Sequence, residues 1–341
     1  MKLSELYSIL KTSDDIESVE KLFDEQFQLA KKGDRESPES PRVLAADESF
    51  PLEIQMAFEE DVDFDRNRVI KGLNGVARRW RQKRYRRKVA FFERNNWDLV
   101  KIVSEGDSWF QYPIIREDII DQIFKPFMIR ERANPFAVFS LGGAADKLDT
   151  IVKEEKETYI KALRDHEPAW FLLGGGGNDL LEVFEQVIVE FSEERSDRKV
   201  DDYINIQALN QKLKEVMGFY REIFSDVIDN KEFNDVKILC HGYDYVRPTV
   251  DGEILGSRLI KKNIKNETTM FNILKFVIDR FNDKLEEVVA KQSASPEKRV
   301  FYVDCRNSAD ANDFNTLPAD DFHPSSKGFE KIANRFLKFL V

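Results

Sequence analysis

Two cysteines and three histidines in 341 residues rule out several kinds of chemistry at the start. Cys240 and Cys305 are too few for a disulfide framework and lack zinc-ligand spacing, so reduced, buried thiols are expected. No stretch of eighteen or more apolar residues occurs, so no membrane-spanning helix is expected. The opening MKLSELYSIL lacks an apolar run of signal-peptide length, and a cytoplasmic protein is expected. Internal repeats and long low-complexity tracts are also missing. A net charge of −10 argues against nucleic acid as the partner of the whole molecule.

The positive charge that is present is concentrated. Between Arg66 and Lys88 stand eleven Lys or Arg and no acid, which leaves the other 318 residues at −21. Within this segment Ile70, Leu73, Ala77 and Trp80 step by three and four, predicting a basic amphipathic helix that ends before VAFFERNNW. Upstream, Leu3 to Leu29 carries helical spacing for two helices. GDRESPESPR (33–42) reads as a polar linker and 44–65 as an acidic stretch. Residues 1–95 are therefore set apart as a mainly helical N-terminal extension.

Beyond Trp97 the pattern changes to short apolar runs alternating with helical stretches. Strands are predicted at 99–104, 135–141, 169–174, 236–241 and 299–304, and helices across 179–193, 202–229, 268–291 and the C-terminal GFEKIANRFLKFL. Strands separated by helices imply parallel pairing with right-handed crossovers. The fold class expected of 96–341 is thus α/β, a three-layer α/β/α sandwich on a five-stranded parallel sheet. In such sheets, sites gather at the carboxyl ends of the strands.

Polar clusters fall at those ends. Gly106-Asp107-Ser108 follows the first strand, Gly142-Gly143 the second, Gly174 to Gly177 with Asn178 the third, and Asp320 and His323 occupy a loop after the fifth. A serine hydroxyl attacks only if a base takes its proton. The imidazole of His323, with an ordinary pKa of about 6.5, is the natural candidate. Asp320, three residues earlier, can reach the other ring nitrogen and hold the useful tautomer. Backbone N–H groups of Ser108 and Gly143 and the side-chain amide of Asn178 can receive an oxyanion.

In this order the clusters resemble the SGNH, or GDSL-type, hydrolase family over roughly residues 98–341: GDS at 106–108, SLGGAAD, GGND at 176–179 and DxxH at 320–323. The resemblance implies a flavodoxin-like fold, Ser108 as nucleophile, His323 as base, Asp320 as its orienter, and Gly143 and Asn178 in the oxyanion hole. It implies no metal or organic cofactor. Gly143 is chosen over Gly142 by alignment to the following Ala-Ala-Asp. Trp109 stands where a small or aliphatic residue is usual. Known members hydrolyse esters and thioesters, deacetylate sugars or cleave lipids.

Other residues carry plainer readings beside functional ones. Gly-Asp-Ser alone is a common turn, and GGND without a following Lys-Ser/Thr is not a phosphate loop. Trp109, Phe110 and Tyr112 suit core packing or an acyl pocket, and His241 a structural hydrogen bond or a substrate contact. His166 reads as solvated, Asp179 as the cap of the helix after it, Asp321 as a competitor of Asp320, and the helical insertion 179–229 as a lid. The basic segment 66–88 could dock on the acidic surface of its own chain, lie on an anionic membrane or bind nucleic acid. The function expected is a serine esterase of acyl-ester substrates, with phospholipase and thioesterase as variants. The alternative is an inert hydrolase fold that binds through 66–88.

Overall fold

A computed structural model describes residues 27–29, 43–45, 66–112, 117–125, 128–129, 132–191, 198–252, 254–292, 298–309 and 321–340. Its centre is a five-stranded parallel sheet of β1 (Val100–Glu105), β2 (Phe136–Ser140), β3 (Trp170–Leu173), β4 (Lys237–His241) and β5 (Val300–Val303), in the order β2-β1-β3-β4-β5. Each strand matches a predicted run to within one or two residues at either end. These runs are continuously apolar because helices cover the sheet: Ile102, Val103, Phe171, Leu172, Ile238 and Leu239 are all fully buried. The chain passes from β1 to β2 on one side and then crosses back from β2 to β3 on the other side of β1, so the topological switch point lies between the carboxyl ends of β1 and β3.

The flanking helices are α1 (Arg66–Arg94), α2 (Ile119–Phe124), α3 (Leu148–Lys153), α4 (Lys156–His166), α5 (Gly177–Glu182), α6 (Phe184–Val187), α7 (Ile206–Ile228), α8 (Gly256–Lys261), α9 (Glu267–Gln292) and α10 (Ser326–Leu340). In α10, Phe329, Ile332, Ala333, Phe336 and Leu340 form the buried stripe that its spacing predicts. Ser325 caps that helix by accepting the Gly328 N–H.

Several expectations need correction. The helix expected over 179–193 is broken into α5 and α6, after which Ile188 bridges Ile204. Phe27–Leu29, placed in a helix by spacing, is a strand paired antiparallel with Val43–Ala45; the rest of the two predicted N-terminal helices lies outside the described residues. His166 is half-buried between Tyr85 and Phe139, with ring centroids 5.0 and 4.0 Å away, and burial lowers its pKa.

The basic segment is helical and runs on through Val89–Arg94, six residues past its expected end. Its inner face differs from the predicted stripe. Trp80 is 42% exposed, whereas Asn74, Ala77, Arg81, Tyr85 and Phe92 are buried, so two polar residues sit in the packed face. Arg81 donates to the Phe110 carbonyl at 2.6 Å and to Asp118 and Asp121 at 2.5 and 2.6 Å; Arg84 also reaches Asp121, at 2.6 Å. Burial pushes Asp118 up to about 7, whereas Arg81 and Arg84 overcome burial at Asp121 and hold it below the ordinary carboxylate range. Burial, then the neighbouring Arg84, brings Lys88 down to about 8. Of the three readings of this segment, docking on acids of the same chain describes its inner side; Arg79, Arg86 and Arg87 remain exposed.

Candidate active site

Three strand ends approach one another without intervening side chains. Gly106 has φ +156°, and a Cβ there would lie 2.6 Å from the Gly174 carbonyl oxygen; one at Gly142 would lie 2.5 Å from that of Gly106. The backbones after β2, β1 and β3 thereby pack directly on each other at the switch point.

On this platform the turn after β1 carries Ser108, which is 5% exposed. Its Oγ lies 2.7 Å from Nε2 of His323, from a loop more than two hundred residues later in the chain. A hydroxyl at this distance donates when Nε2 is the unprotonated nitrogen, the arrangement general-base chemistry requires. The His323 ring is held edge-to-face by Tyr112 and Phe322, each with its centroid 4.9 Å away. Asp320 lies outside the described residues. Its neighbour Asp321 is committed elsewhere: its carboxylate accepts the N–H groups of Ile254, Leu255 and Gly256 at 3.2, 2.7 and 2.7 Å, tying that loop to the histidine loop.

Donors around Ser108 are distributed differently from the expectation. The Gly143 N–H is given to the Gly106 carbonyl at 3.0 Å, so in this conformation the donor assigned to Gly143 is engaged inside the protein. The Ser108 and Gly142 N–H groups are given to no acceptor among the described residues. Asn178 Nδ2 donates to the Asp146 carbonyl at 2.9 Å, which uses one of its two amide hydrogens and links the GGND turn to the loop after β2. Asp179 strengthens this link. It caps α3, a different helix from the one expected, by accepting the Leu148 and Asp149 N–H groups at 3.0 and 3.3 Å.

Residues 120–336, well over half of the chain, match the GDSL-like Lipase/Acylhydrolase family. The chain belongs to that family. Membership makes it an ester-hydrolysing enzyme, and the matched segment contains Gly143, Asn178 and His323 but begins after Ser108. Solved structures similar to this GDSL-type hydrolase include a lipase, Lip_vut3, from a goat rumen metagenome (12% identity, 70% of this chain and 96% of that one, TM-score 0.49). Others are a Clostridium thermocellum family 3 carbohydrate esterase (17%, 71% and 94%, 0.40) and Axe2, an acetylxylan esterase from Geobacillus stearothermophilus (14%, 71% and 94%, 0.42). No curated protein matches the sequence.

Two features of the GDSL-type site were not read from the sequence. One is Tyr243, after β4: its hydroxyl donates to Asp107 Oδ2 at 2.5 Å and accepts the Gly177 N–H at 2.9 Å, joining the first and third motifs. Burial and the adjacent Asp107 raise the phenol's pKa well above its ordinary value, so it stays protonated. The HGYDY stretch offers no signal for this beyond its place at a strand end. The other is a cavity of about 680 Å³, its open mouth included, lined by apolar side chains of α5, α6, α7 and α9 with Trp109, Tyr243, Val246, Leu255 and Phe322. The insertion expected as a lid thus supplies walls of this cavity.

Of the suggested pocket residues, Trp109 lines the cavity, whereas Phe110 and His241 do not: both are 0% exposed in the core. His241 lies between the Trp109, Phe110 and Phe336 rings. Its Nδ1 is 2.8 Å from the Gly242 carbonyl, which can only accept, so Nδ1 carries the proton and Nε2 is bare. Burial lowers its pKa, outweighing the Gly242 carbonyl and Asp107. A depressed folded-state value means that this contribution to stability is complete above the unfolded value of about 6.5 and is lost as pH falls below it. His241→Phe is therefore expected to flatten the loss of stability between neutral and mildly acidic pH by up to about 1.4 kcal/mol per pH unit. Denaturant titrations of both proteins at several pH values check this; equal slopes would refute it.

Glu105, Asp146 and Glu155 form the one group of three acids close enough to share a cation among the described residues. Burial, then Glu155 and Asp146, raises the Glu105 pKa, and Arg78 already places positive charge 3.9 Å from Asp146. Burial and the neighbouring acids thus favour the protonated form of Glu105.

Proposed function

We propose that this enzyme is a serine hydrolase of esters with extended acyl chains, acting through an acyl-enzyme on Ser108. The observation that carries the reading is the buried Ser108–His323 pair at 2.7 Å beside an apolar cavity. His323 takes the hydroxyl proton as Oγ attacks the ester carbonyl, then returns it to the departing alcohol; water, activated by the same imidazole, releases the acid. Asp320 is the proposed orienter of His323. The second Asn178 amide hydrogen and the Ser108 N–H are the proposed oxyanion donors, with the Gly142 N–H, given to no acceptor among the described residues, also free to serve; Gly143 joins them if its bond to Gly106 is exchanged for one to the oxyanion. An inert fold that binds only through α1 has no use for a serine and a histidine held this way.

The cavity supports the choice of acyl group. Its lining residues Trp109, Gly177 and Phe322 are the chain neighbours of Ser108, Asn178 and His323, which supports placing the acyl chain of the acyl-enzyme in this apolar space. Each buried methylene contributes about 0.8 kcal/mol, or roughly a fourfold gain in kcat/KM. Activity on p-nitrophenyl esters is expected to rise steeply from acetate to octanoate. Val277→Trp, filling part of the cavity, is expected to lower octanoate turnover and spare acetate. A preference for acetate in the unmodified enzyme would overturn the acyl-chain assignment.

A further inference from the structure

We infer that Asn74, on α1, is a positioning residue for the loop that borders the oxyanion site. The inference rests on the serine-hydrolase reading and goes beyond it, because α1 precedes the segment that matches the family. Asn74 Nδ2 donates to the Ala144 carbonyl at 2.9 Å, and Asn74 Oδ1 accepts the Ala144 N–H at 3.0 Å. One primary amide thus satisfies both backbone groups of a single loop residue, which fixes the planes of the peptides on either side of it.

The amide is itself held. Asn74 is 5% exposed, and its backbone carbonyl accepts Gln111 Nε2 at 3.0 Å, while Gln111 Oε1 accepts the Ser140 hydroxyl at 3.2 Å. Its Nδ2 lies 2.9 Å from where a Cβ at Gly143 would be. The loop is accordingly gripped at Ala144 by Asn74 and at Asp146 by Asn178, and its other side lies on Gly106. A buried polar residue pointing from a helix to a loop backbone is costly unless both its donor and its acceptor are used, and here both are.

The test is steady-state hydrolysis of a p-nitrophenyl ester by the full chain, with kcat expressed per Ser108 labelled by a fluorophosphonate, so that unfolded protein does not count. Asn74→Ala is expected to lower kcat by about 10- to 100-fold with KM within about twofold, as small misplacements of a reacting group do. Asn74→Asp keeps the acceptor for the Ala144 N–H but turns an anion towards the Ala144 carbonyl, and a similar loss is expected. Gly75→Ala, in the same helix with nothing within 4 Å of the added methyl, should retain full kcat. In hydrogen exchange the Ala144 amide should lose protection in Asn74→Ala. Unmodified protein that labels at Ser108, together with Asn74 variants of unchanged kcat per labelled site, would overturn the positioning role alone. Unmodified protein with neither labelling nor ester turnover would overturn the serine-hydrolase reading, and the catalytic role of Asn74 with it.

Discussion

Ser108→Ala and His323→Ala are each expected to remove essentially all ester hydrolysis, with kcat falling on the order of 10⁶-fold. The expected magnitude rests on the geometry and the proposed mechanism: the serine and the histidine lie 2.7 Å apart in a buried site, and as nucleophile and base they would act as one unit, so that losing either would remove the nucleophilic route. For the same reason the double substitution should be no worse than either single one, whereas independent contributions would multiply. Both variants should also lose fluorophosphonate labelling, which mass spectrometry is expected to locate at Ser108 in the unmodified enzyme. Labelling at a different serine, or turnover that survives Ser108→Ala, would place the nucleophile elsewhere. Circular dichroism of each variant keeps loss of folding apart from loss of chemistry.

Arg81→Met is the substitution with the largest expected effect on stability. It leaves Asp118, fully buried, without its cation and supported only by the backbone N–H groups of Tyr112, Ile120 and Asp121. Removing one partner of a buried ion pair typically costs about 3–5 kcal/mol, which for a protein of this size lowers Tm by roughly 10 °C. The sign of the pH dependence follows from Asp118. Its folded-state value is already raised to about 7, and loss of Arg81 raises it further. A raised value gives stability that is present at low pH and lost as pH rises, so the variant should be more destabilised at pH 8 than at pH 5. Adding Asp118→Asn to Arg81→Met, which removes the buried carboxylate left without its cation while Asp121 keeps Arg84, should recover part of the loss. Thermal melts at the two pH values decide it: a drop below about 1 kcal/mol would mean that α1 is only loosely seated on the domain.

α1 also shows where the sequence stops being informative. Its buried face contains Asn74 and Arg81, and polar residues in a packed face break the apolar periodicity by which a helix is oriented. The apolar stripe pointed to Trp80, which is 42% exposed. What those polar side chains contact, Phe110, the Asp118–Asp121 pair and Ala144, lies between 29 and 70 residues further along the chain. Local spacing carries no signal for such pairs. His166 was underread for the same reason: a histidine in a polar-looking stretch gives no hint of the rings that will enclose it.

The sequence by itself determined the five strands, their parallel order of use and the residues at their carboxyl ends, because strand formation and the turns that follow depend on short-range patterns of apolar side chains and glycine. It also marked candidates for the chemistry, His323 above all, which stands in a strand-end loop with Asp320 and Asp321 beside it. Only the tertiary structure decided that the Ser108 hydroxyl meets the His323 imidazole, that the Gly143 N–H is already given to Gly106, and that α1 holds the loop at Ala144. It alone made a cavity from helices that the sequence suggested as a lid. Those outcomes depend on distances between segments far apart in the chain, which the packing of helices on the sheet sets and no local pattern encodes.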